Sequence, residues 1–305
     1  MSRPHSPRKA LLLCFMAILA WGSLPLALKI CLKAVDPITV TLVRFAVAGS
    51  ITLLWQRKQI AAGMSKWSLH LRLLIIGGLG LTANHVLYVW GLRFSSAGNA
   101  QLFIQLAPLL FGLVSVLLFK EAFSWQRGGG VVLLLTGLGL YFFENLELLA
   151  ANVEEYLFGC LLLVLAAAGW VIYASCQKVL NPKLGHAPVT AFFYILATLT
   201  LAPFAKPASI GDLDAIGLVA LFYCGINTLV AYGAFAAAID CWESSRVSAT
   251  LALVPICTMV LVEILSHYAP TYVSAEDTST WALTGAALVA LGSALAALGA
   301  TKRKT

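Results

Sequence analysis

The hexapeptide QLAPLL at residues 105–110 recurs as ALVPIC at residues 252–257, and this pair of segments decides the fold. Each lies within a long apolar run, and their prolines, Pro108 and Pro255, are 147 residues apart. Four more pairs recur in the same order at nearly the same offset: Trp21 with Trp170, Lys29 with Lys178, Pro37 with Pro188, and Gly137 with Gly285. Five ordered matches with so little drift indicate an internal duplication.

Long apolar runs fill most of the 305 residues. The chain is 60% hydrophobic and only 11% charged, whereas soluble domains carry about 25% charged residues. A helix needs about 20 apolar residues to cross a bilayer, and continuous rather than alternating apolarity excludes a β-barrel. Ten runs approach that length: residues 10–29, 37–56, 69–93, 97–119, 127–143, 157–178, 188–205, 214–239, 246–267 and 280–300.

Basic residues in the loops predict the orientation. With a cytoplasmic N-terminus, fifteen Lys and Arg fall on the cytoplasmic side and four on the other, as the positive-inside rule requires. Each duplicated unit then holds five spans, and because five is odd, the second unit enters the membrane from the opposite side. We therefore expect an all-α membrane protein with ten transmembrane helices arranged as two inverted five-helix repeats, residues 10–145 and 156–300. The tails at residues 1–9 and 301–305 are both expected in the cytoplasm.

Several classes of protein are disfavoured by composition and motifs. The net charge of +7 is scattered over loops and tails, so nucleic acid is not expected as a partner. The seven cysteines form no C-x-x-C pair, which argues against a metal site or a disulfide framework. The chain has no H-E-x-x-H, Walker or G-x-S-x-G motif, and we expect no catalytic residue, no metal and no cofactor.

Polar side chains inside apolar spans are expensive, so each is a candidate site residue. In the fourth span, Gln101, Gln105 and Pro108 share one face of a helix, and in the third span Asn84 and Tyr88 do the same. Amides and a phenol suit a polar or zwitterionic solute. Hydrogen bonding between neighbouring helices explains the same residues equally well, and both interpretations stay open.

Aromatic residues and prolines complete the candidate site. The remaining substrate-binding candidates are Trp21, Trp170, Tyr173, Tyr223, Asn227 and Tyr232. Packing in the interior is an equally good explanation for the aromatic members. Pro108 and Pro255 each free a backbone carbonyl one turn earlier, which could bind substrate, but a helix kink that shapes a cavity is favoured.

Two ionisable residues within the spans, Arg44 and Glu263, are candidates for an ion pair or for coupling. Arg44 has Phe193 at the equivalent position of the second half, so its charge is not duplicated. We therefore predict that Arg44 anchors the second span to an acceptor or to Glu263. Glu263 could instead carry a coupling proton or lie in contact with water at the outer interface.

Three stretches of the first half carry a resemblance to a known family. They are AWGSLPLALK at residues 20–29, the Asp36–Pro37 pair followed by Arg44, and residues 95–130, in which Pro108 precedes a helix end at Glu121. The chain resembles the EamA family of drug/metabolite transporters over nearly its whole length. It departs from the family pattern at YAPTYVSAEDTST, residues 268–280.

The resemblance implies a central cavity lined mainly by the first, third, fourth, sixth, eighth and ninth spans. It also implies a secondary transporter in the inner membrane that exports small metabolites, such as amino acids or related amphipathic compounds, by alternating access. The expected partners are a small-molecule substrate and membrane lipid, and a homodimer is left open. The alternatives are an intramembrane enzyme acting on lipid-linked substrates, which needs an acidic or histidine cluster at one membrane face, and a membrane sensor that transports nothing.

Overall fold

The described secondary structure is helical throughout. A computed structural model describes residues 7–119, 124–148, 153–242, 244–276 and 279–298, so Glu121 and most of both tails lie outside the described residues. The α-helices are α1 (Pro7–Cys31), α2 (Pro37–Trp55), α3 (Arg57–Met64), α4 (Leu71–Arg93), α5 (Ala97–Phe103), α6 (Leu106–Phe119), α7 (Trp125–Leu148), α8 (Val153–Leu184), α9 (His186–Leu201), α10 (Ala215–Cys241), α11 (Ser244–Leu251), α12 (Val254–Tyr268) and α13 (Thr280–Leu298).

Within the described residues, nine segments are long and apolar enough to cross a membrane. The fifth apolar run corresponds to α7, which has 24 residues but is not one of the nine. The short helix α3 was not predicted. It forms because Ile60 packs on Ala187 and Ala191 of α9 while Arg57 and Lys58 remain exposed, so an amphipathic turn follows α2 where a loop was expected.

Side-chain caps fix where several helices begin. The Asp36 carboxylate accepts hydrogen bonds from the backbone N–H of Ile38 and Thr39, both at 3.0 Å, and Pro37 occupies the first position of α2. The Asp214 carboxylate caps α10 through the Gly217 N–H at 2.7 Å. An acidic cap satisfies orphan donors of the first turn, and a proline there loses no intrahelical hydrogen bond.

Helices of the two halves interdigitate rather than forming two separate bundles. The first long helix of each half packs on the third span of the other: α1 on α10, and α8 on α4. Gly80 approaches Gly169, and Gly91 approaches Gly159. The numbering therefore rises along α4 as it falls along α8, and these two helices are antiparallel.

Equivalent residues of the two halves touch each other at two places. On α2 and α9, the rings of Phe45 and Tyr194, which are 149 residues apart, lie 5.8 Å apart. On α7 and α13, a Cβ built on Gly137 would lie 2.6 Å from the Gly285 carbonyl oxygen. Gly130 also approaches Gly292, so α7 and α13 run antiparallel. Contacts between equivalent residues are expected where a pseudo-twofold axis passes between the halves.

Each of the two spans for which a kink at proline was predicted is interrupted by a two-residue turn just before its proline. The fourth span divides into α5 and α6, and the ninth divides into α11 and α12. Pro108 and Pro255 lie in the first turn of the second piece, where a missing N–H is harmless. At the first break, the Ala107 N–H bonds the Ile104 carbonyl at 2.9 Å. This i to i−3 hydrogen bond satisfies the Ile104 carbonyl, to which Pro108 has no N–H to donate. The polar face that was predicted to run continuously along the fourth span is therefore interrupted at Gln105.

Candidate functional site

A cavity of about 740 Å³ lies where the two discontinuous helices meet the other spans. Its lining extends from the middle of the bundle toward the end at which α1 begins and α13 finishes, which we call the terminal end. The other end, which we call the opposite end, is filled by a core cluster that includes Leu28, Leu92, Tyr141 and Tyr156. The space is therefore closed on one side of the bundle.

Most of the predicted site residues line this cavity. The eight substrate-binding candidates found there are Trp21, Asn84, Tyr88, Gln101, Gln105, Trp170, Asn227 and Tyr232. Arg44 and Pro108 line it as well. The residues that were predicted from their positions within the spans therefore come together in the structure, from seven of the helices.

Four predicted residues lie elsewhere. Tyr173 is buried against Trp170 and Phe193 in the core between α8 and α9. Tyr223 faces a smaller hollow between α1 and α10. Pro255 is buried beside α1 rather than in the cavity lining, and Glu263 is exposed on α12.

The predicted pairing of Arg44 with Glu263 is wrong. Arg44 is 3% exposed and lines the cavity. Glu263 lies beside Val260 and Ile264, whose side chains are exposed on the bundle perimeter. Within the described part of the chain, Arg44 has no ion pair and its Nε has no hydrogen-bond partner, so the structure also provides no acceptor to which it anchors α2.

Some of the cavity amides hold helices together. The Gln101 Nε2 donates to the Trp21 carbonyl at 2.6 Å, an acceptor left free because Pro25, four residues later in α1, has no N–H. The Asn84 Nδ2 donates to the Ala166 carbonyl of α8 at 2.8 Å. For these two amides, hydrogen bonding between helices explains the burial.

Other polar atoms of the cavity are buried without a partner. They are the Tyr88 hydroxyl, the Gln105 Nε2, the Arg44 Nε and the Asn227 Oδ1. Asn227 uses its other amide atom, Nδ2, to donate to the Ala20 carbonyl at 2.7 Å and to the Tyr223 hydroxyl at 2.9 Å. Because buried polar groups are nearly always hydrogen-bonded, these four unpartnered atoms set the cavity apart from the rest of its surroundings.

Aromatic rings form the walls around those atoms. Trp21 contacts Tyr232 edge-on, with ring centroids 5.5 Å apart, and Trp170 contacts Phe111 in the same way at 5.8 Å. Nearer the terminal end, the Lys178 Nζ lies 5.6 Å from the centroid of Phe111. The cavity thus combines apolar walls with a few converging polar groups, which is the usual composition of a small-molecule site.

Sequence reasoning missed part of the lining. The second, fifth and tenth spans contribute in addition to the six that were expected, through α2, α7 and α13. The polar lining residues outside the predicted binding set are His85, Ser115, Arg127, Lys178, Thr228, Ser248 and Ser293, and Ser115 lies on the same predicted face of the fourth span as Gln101. Lys178 belongs to one of the repeated pairs, and its position at the end of an apolar run, near a helix that carries aromatic residues, is the sequence feature that could have indicated its role. The small residues of α13 carry no feature in the sequence that would indicate a place in the lining.

The segment 269–276, part of the stretch that departs from the family pattern, connects three helices at the opposite end. The Lys33 Nζ donates to the Thr271 carbonyl, and the Tyr272 hydroxyl donates to the Asp214 carboxylate at 2.7 Å. The Glu276 carboxylate accepts from the Ala97 N–H at 2.7 Å at the start of α5. The hydrogen bond from Tyr272 and that from the Gly217 N–H hold the pKa of Asp214 below its ordinary value.

Among the described residues, no group of three or more His, Cys, Asp or Glu is placed to hold a metal ion. The seven cysteines are free thiols, five of them buried.

Comparison with known proteins agrees with this arrangement. The EamA-like transporter family matches the chain twice, over residues 8–143 and 157–298. The chain is 32% identical over 283 residues to an uncharacterized transporter of Haemophilus influenzae, covering 92% of each chain. It is also 32% identical over 295 residues to the uncharacterized inner membrane transporter YhbE of Escherichia coli, covering 95% of this chain and 91% of that protein.

A solved crystal structure shares the fold, with a TM-score of 0.61 over 99% of this chain and 100% of that chain, at 22% identity. Two family matches in one chain agree with duplicated halves. The intramembrane enzyme considered from the sequence is excluded by this assignment. The chain belongs to the EamA-like transporter family of the drug/metabolite transporter superfamily, and it is a membrane transporter rather than an enzyme.

Proposed function

We propose that this protein is a secondary transporter that moves small metabolites by alternating access around the central cavity. The observation that carries the proposal is the cavity itself. It lies where two discontinuous helices from duplicated halves meet, reaches one end of the bundle and is closed at the other. Transporters built from inverted repeats bind substrate at such helix breaks, near the middle of the membrane.

The proposed topology has ten spans in two inverted repeats, residues 10–145 and 156–300, with α7 as the fifth span. The antiparallel packing of α2 on α9 and of α7 on α13 supports it, because equivalent helices in inverted repeats point in opposite directions. The excess of Lys and Arg beside the terminal end supports a cytoplasmic location for both chain termini. The cavity then faces the cytoplasm, as the loading state of an exporter requires.

The proposed location is the inner membrane. YhbE, similar over 95% of this chain, is named as an inner membrane transporter. Reporter fusions after Lys58 and Lys183 should report cytoplasm, and one after Lys206 should report the other side. A cytoplasmic signal at Lys206 would contradict the ten-span topology and the inverted repeat together.

A transport assay in proteoliposomes tests the binding site with a matched pair of variants. Tyr88→Phe removes only an unpartnered hydroxyl, so we expect reduced transport with an unchanged or slightly raised melting temperature. Asn84→Ala removes an amide that bonds α8, and should lower stability by about 0.6 kcal/mol or somewhat more. Its transport should fall only with the amount of folded protein. Equal behaviour of the two variants would contradict the assignment of Tyr88 to the substrate site.

A further inference from the structure

We propose that the transported metabolite is an organic anion, a carboxylate on an apolar or aromatic body, and that the Arg44 guanidinium binds its charge. The inference rests on the proposed transport function and narrows its substrate class. The observation behind it is an unpaired buried cation that lines the cavity.

Arg44 is surrounded by groups that cannot neutralise it. The titratable side chains that feel its charge are Cys31 of α1, His85 and Tyr88 of α4, Tyr194 of α9, and Cys224 and Tyr232 of α10. Thiols, phenols and an imidazole are present, but none of these groups is a carboxylate. Arginine stays protonated in proteins, so its charge persists while the site is empty.

A buried charge without a counter-ion is costly, and intramembrane charges are usually paired or functional. The structure places this charge in the wall of a cavity large enough for a metabolite. A carboxylate entering the cavity supplies the missing counter-ion, and the planar guanidinium can bind both of its oxygens.

The other unpartnered atoms fit the same solute. The Tyr88 hydroxyl and the Gln105 amide nitrogen can donate to carboxylate oxygens, as the Arg44 Nε can. The Asn227 Oδ1 is an unpartnered acceptor. The three donors suit the oxygen atoms of a carboxylate.

The charges along the cavity agree with an anion. Its charged lining residues are Arg44, Arg127 and Lys178, and no lining residue is Asp or Glu within the described part of the chain. The Arg44 charge beside apolar walls raises the local concentration of anions. The rings of Trp21 and Trp170 then contact the uncharged body of the ligand.

The test compares three probes with one indole ring: indole-3-acetate, the neutral indole-3-acetamide, and the cation tryptamine. We expect only indole-3-acetate to raise the melting temperature of the purified protein and to cross proteoliposomes efficiently. Arg44→Gln should weaken the binding of indole-3-acetate at least tenfold, so that it binds no more tightly than indole-3-acetamide. Arg44→Lys should retain part of the binding, because the charge remains without the planar geometry.

The same variants separate binding from folding. If the cation has no protein partner, Arg44→Gln without ligand should melt no lower than the wild type. If Arg44→Gln fails to fold, Gln105→Glu provides the second test, because an added cavity carboxylate should compete for Arg44 and weaken indole-3-acetate binding more than Gln105→Ala does. Equal weakening by these two variants would overturn the proposal.

The remaining outcomes distinguish the substrate class from the transport function. The proposal of an anionic substrate would be overturned if tryptamine or indole-3-acetamide were transported at least as fast as indole-3-acetate. It would also be overturned if Arg44→Gln transported indole-3-acetate at the wild-type rate. Either result would leave the protein a transporter. Failure of all three probes to bind or cross with folded protein would overturn the anion and would also count against transport through this cavity.

Discussion

The two discontinuous helices have the same backbone design and different chemistry. α5–α6 and α11–α12 break at equivalent places, and a proline lies in the first turn after each break. At the first break, Gln105 lines the cavity, and its amide nitrogen is buried without a hydrogen-bond partner. At the second, the equivalent residue is Ala252, which lines the same cavity with a methyl group.

The difference shows which features a duplicated membrane fold must keep in both copies. The features that recur concern the backbone: the interrupted helices, their prolines, and the glycines that let neighbouring helices approach each other closely. Two polar residues of the cavity do not recur, since Arg44 has Phe193 and Gln105 has Ala252 as its counterpart. Of the four unpartnered atoms named above in the cavity lining, three belong to the first half, so we expect the second half to contribute mainly shape.

The largest effect is expected where equivalent glycines meet. Gly137→Ala and Gly285→Ala each place a Cβ within 2.8 Å of the opposing backbone oxygen, so α7 and α13 must separate. Overpacking of this kind costs about 1–3 kcal/mol, and the two variants should lose similar stability. Thermal melting of the purified proteins measures this, and Gly139→Ala, whose Cβ would meet open space, is the control. A loss confined to one of the two partners would show that the contact is not shared equally.

The next effect concerns Gln105. Gln105→Ala makes the first break resemble the second, so transport should fall about tenfold, equivalent to about 1.4 kcal/mol in the transition state. Melting temperature should stay near that of the wild type, because the amide nitrogen lost has no partner. Initial rates in proteoliposomes check this, with Gln101→Ala as the control that loses a bond to Trp21. A matching loss of stability in Gln105→Ala would mean that the amide holds helices together.

A smaller effect is expected at Glu276, which caps α5 from outside its own half. Glu276→Ala removes an acceptor for the Ala97 and Gly98 N–H groups and should cost about 1 kcal/mol, the usual worth of a helix cap. Glu276→Gln, which keeps an acceptor oxygen, should lose less. Chemical denaturation of both variants measures the difference, and no loss in Glu276→Ala would show that the start of α5 does not depend on this contact.

The smallest effect is expected from the prolines. Pro108→Ala and Pro255→Ala should each lose about 0.4–1 kcal/mol, because alanine gives the unfolded chain more conformations while the first turn of either helix needs no donor there. The two losses should be equal within error in the same melting experiment. A much larger loss at one proline would show that the two breaks are not held in the same way.

That the chain is an all-helical membrane protein with duplicated halves followed from the sequence, because apolar run length and a repeated proline segment are strong signals. The form of the two interruptions did not, since a proline in an apolar run does not determine how the helix bends, and the hydrogen bond at Ala107 shows where α6 begins. In the site, Gln105 and Tyr88 were predicted together with Asn84 and Gln101. The sequence could not separate them, because that depends on which carbonyls of other helices lie within reach.

Arg44 illustrates a different limit. Its burial and its lack of a duplicated counterpart were visible in the sequence, but the prediction assigned it a partner. A charge within a span needs something to balance it, and the sequence offered Glu263 as the available carboxylate. The structure puts Glu263 on the perimeter of the bundle. That position depends on the rotation of α12 about its own axis against α1, which the spacing of residues within the span does not determine.

The segment 269–276 has a consequence for the resting equilibrium of the transporter. If two similar halves exchange conformations, the inward-open and outward-open states have nearly equal backbone energies, and neither is populated in excess. The contacts of this segment with Lys33, Asp214 and Ala97 lie at the opposite end and stabilise the state closed there. Each 1.4 kcal/mol of such bias changes the ratio of the two populations tenfold. A short loop outside the cavity would thus set how often the empty protein returns to collect the next molecule.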